Sequence, residues 1–128
     1  MRKMMKAAIA IVGVVGILGS GPAALANDRD VVRTGSCSGR SDWKLKLSPE
    51  DGRLEVEFEV DQNVVGDTWR VTIRQNGDRI FRGVRETKGP SGSFEVRTLA
   101  NNTEGTDAFR AKARNLSTDE TCVGRSSI

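Results

Sequence analysis

Between Trp43 and Ala113 apolar and polar side chains alternate with a period of two, and this constrains the fold more than any other feature. Trp43, Leu45 and Leu47 are interleaved with Lys44 and Lys46, and Leu54, Val56, Phe58 and Val60 with Glu55, Glu57 and Glu59. Trp69, Val71 and Ile73 alternate with Arg70, Thr72 and Arg74. Phe94 and Val96 alternate with Glu95 and Arg97, and Phe109, Ala111 and Ala113 with Arg110, Lys112 and Arg114. Successive side chains of an extended strand point to opposite faces, so each segment predicts a strand with one buried and one wet side. Helical spacing is absent from these segments. Adding residues 31–40 and 122–128 gives about eight strands separated by short turns, which predicts an all-β, antiparallel, immunoglobulin-like β-sandwich. A partly closed β-barrel is the alternative.

Turn chemistry fixes part of the register. Pro49-Glu50-Asp51-Gly52 reads as a four-residue loop that sets Leu47 opposite Leu54, Leu45 opposite Val56 and Trp43 opposite Phe58. The same register places Lys46 against Glu55 and Lys44 against Glu57. Pairing the next two strands in sequence sets Glu59 against Arg70 and Glu55 against Arg74, leaving the Glu row between two basic rows. Asn76-Gly77 is a strong hairpin signal, because both central residues of a type I′ turn need positive φ. Ile80 and Phe81 are adjacent and cannot both point inward in a regular strand, so a bulge is expected there.

The N-terminus supplies an address. Arg2, Lys3 and Lys6 precede an apolar run over residues 7–18, a Gly/Ser/Pro break and then Ala24-Leu25-Ala26. This is the pattern of a secretory signal peptide cleaved after Ala26, and the apolar run of about a dozen residues is too short to span a membrane. Residues 27–128 are then a single exported domain. The chain carries 20 Lys and Arg against 17 Asp and Glu. Three of the basic residues belong to the signal segment, which has no acid, so the exported part is neutral and no nucleic-acid partner is expected. Cys37 and Cys122 both lie in that part, and outside the cell such a pair predicts a disulfide joining the first strand to the last.

The chain has no His. That removes the commonest general base, the usual Ser–His and Cys–His pairs and most zinc and copper sites. No metal, cofactor or catalytic residue is expected. Glu55, Glu57 and Glu59 stand on one strand face about 7 Å apart, near the separation of an inverting glycosidase pair. Flanking bases would keep these acids ionised, so a salt-bridge ladder is the preferred reading. Asp61, Asn63 and Asp67 bring oxygen ligands to one loop, but their spacing is not that of a calcium loop. The basic cluster Arg79, Arg82, Arg85 and Lys88 is the candidate anion-binding site; the plainer reading is a charged edge strand that resists aggregation.

The stretch Thr34-Gly35-Ser36-Cys37-Ser38-Gly39-Arg40-Ser41-Asp42-Trp43 and onward to Val60 resembles small secreted actinobacterial proteins of unknown function. The likeness extends over the Asn76-Gly77 hairpin and the terminal Cys122 strand. It implies a bacterial exported β-sandwich and supplies no catalytic or binding residue. The expected function is therefore a non-catalytic secreted module that contacts an anionic cell-envelope polymer or an extracellular protein. A secreted protease inhibitor presenting residues 88–93 is the alternative, and a small carboxylate hydrolase built on Glu57 a remote one.

Overall fold

A computed structural model describes residues 29–128, so the signal segment and its cleavage after Ala26 lie outside the described residues. Eight antiparallel strands form: β1 (Val31–Ser36), β2 (Asp42–Glu50), β3 (Arg53–Asp61), β4 (Thr68–Gln75), β5 (Asp78–Glu86), β6 (Ser93–Asn101), β7 (Ala108–Asn115) and β8 (Thr121–Ser127). They make two four-stranded sheets, ordered β1-β2-β3-β6 and β5-β4-β7-β8, which pack as a β-sandwich and do not close into a barrel.

Alternation supplies the core directly. Leu45, Leu47, Val56, Phe58 and Val60 of the first sheet face Trp69, Val71, Ile73, Ala111 and Ala113 of the second, all fully buried. Trp69 and Phe94 meet across the two sheets with ring centroids 5.9 Å apart. Removing such apolar area from water is the main favourable term in the fold.

Two expectations about pairing are corrected. The β2–β3 turn is the two-residue Asp51-Gly52, with φ of 50° and 79°. Leu47 therefore faces Val56, Leu45 faces Phe58 and Trp43 faces Val60, two residues from the expected register. Asp-Gly is itself a type I′ signal, and Pro49 continues in the strand. A shift of two preserves both faces, which is why the apolar pattern alone could not reveal it. The second correction is larger. β3 pairs with β6, not β4, so Glu57 lies opposite Arg97 and Glu59 opposite Glu95, while Arg70 and Arg74 belong to the other sheet. Keeping β4 beside β3 would put both apolar faces on one side with nothing to cover them; crossing between layers covers both.

Hydrogen bonds hold that crossover. Trp69 Nε1 donates to Gln62 Oε1 at 2.9 Å, while Gln62 Nε2 and Asn115 Nδ2 both donate to Asp67 Oδ2, at 2.6 and 3.0 Å. Other expectations hold: Asn76-Gly77 turns with φ of 49° and 88°, and register slips between Ile73 and Arg74, leaving Ile80 as the extra residue.

The open edges of the two sheets are joined where β1 and β2 meet β8. Cys37 and Cys122 form a disulfide with Cα atoms 4.3 Å apart. Glu120 accepts from Gly39 N at 3.0 Å, Ser41 N at 2.8 Å and Ser41 Oγ at 2.8 Å. The half-buried indole of Trp43 lies between two glycines. A Cβ on Gly35 would stand 2.6 Å from its Cζ2, and one on Gly124 2.8 Å from its Cε3.

Candidate functional site

The outward positions of the two sheets differ in charge balance. On β3 they hold Glu55, Glu57 and Glu59, on β6 Glu95 and Arg97, and on β2 Lys44 and Lys46, which stand opposite Glu59 and Glu57. Arg97 reaches three of these acids, at 3.4 Å from Glu55, 3.6 Å from Glu57 and 3.7 Å from Glu95. With Lys44 and Lys46 on the other side of β3 the face is mixed, with acids in excess. Burial, then the neighbouring Glu57 charge, pushes the Glu55 carboxyl up, with Arg97 opposing. Burial and a hydrogen bond shared with Glu57 do the same for Glu95. Flanking bases are expected to keep the whole row ionised; Glu55 in the row and Glu95 beside it are instead shifted toward protonation.

The opposite sheet is basic from edge to edge. Three rows of outward residues run across all four strands, and a further outward pair, Thr68 and Glu86, lies at the end of β4 and β5. Arg79, Arg74, Arg110 and Arg125 stand directly opposite one another on β5, β4, β7 and β8. The next row is Arg82, Thr72, Lys112 and Val123, and the third is Val84, Arg70, Arg114 and Thr121. Like charges directly opposite on adjacent strands repel. Among the described residues, no carboxylate comes within 4.0 Å of Arg70, Arg82, Lys112 or any member of the four-arginine row. Arg114 alone is relieved, by Asp119 at 2.8 Å.

The four residues singled out from sequence are divided between different surroundings. Arg79 and Arg82 point to the basic face. Arg85 lies opposite Trp69 on the inner side, with its guanidinium carbon 5.2 Å from the centre of the Phe81 ring. Lys88, beyond β5, pairs with Glu86 at 3.2 Å. The larger part of the face, on β4, β7 and β8, was missed, because Arg70 and Arg74 had been placed beside the Glu row. A usable signal existed: the outward positions of β4 and β7 carry Arg, Lys and Thr and no acid.

Residues 88–93 form a closed loop. Lys88 N donates to Ser93 O at 2.9 Å and Gly92 N to Lys88 O at 2.8 Å. A Cβ on Gly92 would lie 2.4 Å from Val64 N, so the loop is pressed on the β3–β4 connection. Of the oxygen ligands in that connection, Asp67 is committed to Gln62 and Asn115, and Asp61 stands opposite Asp42. Among the described residues no cluster of three or more acidic or Cys side chains could hold a metal ion. Val64, Val65 and Leu116 are exposed on loops, a smaller and less organised surface than the basic face.

Neither a protein-family model, a curated protein nor a solved structure matches this chain.

The acids give stability an opposed pH response. Burial raises the Asp107 carboxyl, but bonds donated by Thr103, Gln75 and Asn76 outweigh it and hold the group below 3.8. Asn115 and Gln62 hold Asp67 below 3.8 in the same way. Stability from these two is complete above about pH 4 and is lost as pH falls through their lowered folded values. Glu55 and Glu95, raised above 4.5, act in reverse: each subtracts stability at neutral pH and returns it as pH falls through its raised value. Urea midpoints are expected to rise from about pH 7 into mild acid, then fall below about pH 4. Glu55→Gln with Glu95→Gln should flatten only the first limb; an unchanged first limb would contradict the assignment.

Proposed function

We propose that the protein is a secreted, non-catalytic binding module that holds an anionic cell-envelope polymer on the outer face of the β5-β4-β7-β8 sheet. One observation carries the reading: basic side chains from four adjacent strands share one flat face with almost no internal neutralisation. The zero net charge of residues 27–128 conceals this, because most compensating acids lie in loops and on the other sheet. A broad field of one sign steers a polymer of the opposite sign and gathers affinity over many weak contacts. The paired cysteines suit an oxidising compartment and support export.

Inhibition of proteases fits less well. A substrate-like loop offers its backbone to the protease as an extended strand, whereas residues 88–93 spend theirs on closing the loop. A hydrolase site at Glu57 would need a cleft that orders substrate and excludes water, and Glu57 stands on an open sheet face.

The test is co-sedimentation of the protein with envelope fractions at low and high salt. Retention is expected at low salt, with loss at high salt, and Arg70→Glu with Lys112→Glu should reduce it by about tenfold or more. Retention that ignores both salt and charge reversal would overturn the proposal.

A further inference from the structure

Within that face the four-arginine row differs from the other two. Arg79, Arg74, Arg110 and Arg125 run without interruption from one edge of the sheet to the other. At the usual strand separation of about 4.8 Å the row spans roughly 14 Å. It crosses a concavity of about 400 Å³ lined by Arg74, Arg110 and Arg125, with the Asn76-Gly77 turn and Ser127 on its rim. Arg74 is fixed there, since its guanidinium donates to Gly77 O at 3.2 Å. The turn is in turn fixed to β7, because Ala108 N donates to Asn76 Oδ1 at 2.9 Å and Asn76 Nδ2 to Asp107 Oδ1 at 3.1 Å. The row is thus an array of like charges on a rigid support.

We propose that this row is a phosphodiester-binding track, along which a polyol phosphate chain lies across the strands with successive phosphates between neighbouring arginines. The inference rests on the polyanion reading above and narrows it to one site and one chemistry. All four members are Arg, whose planar fork grips two oxygens of one oxyanion, where Lys offers a point charge. A phosphodiester spreads one charge over two free oxygens, so one group can accept from guanidiniums on adjacent strands. Phosphodiesters also lie in the polymer backbone, which lets the chain rest in a shallow groove with its charges at guanidinium height. Nucleic acid shares the phosphodiester but is the poorer fit. Single-strand binders offer aromatic platforms to the bases, and the outward positions of β4, β5, β7 and β8 carry no aromatic residue.

The experiment titrates the purified protein with poly(glycerol phosphate) at fixed ionic strength. Two variants remove equal charge, Arg74→Gln/Arg110→Gln/Arg125→Gln on the track and Arg70→Gln/Arg82→Gln/Lys112→Gln off it. The track variant is expected to lose at least about tenfold more affinity than the off-track variant. Its thermal midpoint should stay level or rise, since like-charge repulsion is relieved. Replacing the same three track arginines with Lys should preserve the salt dependence yet still weaken binding. Equal losses from both Gln variants would overturn the track while leaving the basic face as a binding surface. No loss from either would overturn both. Tighter binding of dextran sulfate or of DNA, at matched charge, would overturn the phosphodiester assignment or its polyol source respectively.

Discussion

Replacing Cys37 and Cys122 together with Ala is expected to lower stability by about 2–5 kcal/mol, the usual cost of losing a native disulfide from a small exported domain. The two residues are 85 apart in sequence, and a loop of that size is worth roughly 4.5 kcal/mol in the chain-entropy model. The effect acts mainly through the unfolded chain. Freed of its cross-link, that chain expands and exposes more surface, so the dependence of unfolding on urea should steepen as the midpoint falls. The folded edge keeps other ties, namely the Glu120 carboxylate on Gly39 and Ser41 and the bonds between Ser38 and Thr121. A variant that folds with a lower midpoint is therefore expected. A loss under about 1 kcal/mol would mean that the unfolded chain is already compact without its cross-link.

Gly124→Val is expected to cost about 3 kcal/mol, near the upper end for overfilling a packed site. The cause is space: the first side-chain carbon would meet the Trp43 ring at 2.8 Å. Trp43 has no easy retreat, because Gly35 flanks it and any Cβ there would come within 2.6 Å. Gly124 pairs with Ala111 in the middle of the β7–β8 ladder, so backbone movement there would disturb that ladder. The cause can be isolated with a double-mutant cycle. Gly124→Ala should be clearly destabilising beside the intact indole and nearly neutral once Trp43→Ala has removed the ring. Additive effects of the two changes would show that the indole is not what the glycine accommodates.

Strand positions were legible because alternation is a local signal, repeated in five segments between Trp43 and Ala113. The Asn76-Gly77 hairpin was legible for the same reason, since a dipeptide encodes its own φ angles. The first hairpin was read two residues out because Pro49 was taken into the loop, and a slip of two leaves every side chain on its proper face. Strand partnership was harder to read. Glu55, Glu57 and Glu59 suggested basic neighbours, and Arg70 and Arg74 were the nearest in sequence; the actual neighbour of β3 is β6, which follows only after β4 and β5. The basic surface depends entirely on that non-local choice, because Arg74, Arg110 and Arg125 become neighbours only when β4, β7 and β8 lie side by side. Export, the other part of the reading, concerns residues outside the described fold.

An acidic excess on the outer side of one sheet and a basic face on the other give the domain a charge dipole across its thickness, between sheets stacked about 10 Å apart. Such a domain does not adsorb at random. On a negatively charged layer it lies flat with the arginine side down, and Glu55, Glu57 and Glu95 then face outward. The coated layer keeps its original sign, so it still repels other anions and presents carboxylates to the arginine side of a second copy. Salt weakens that adsorption, and mild acid lowers the outward negative charge as Glu55 and Glu95 take up protons.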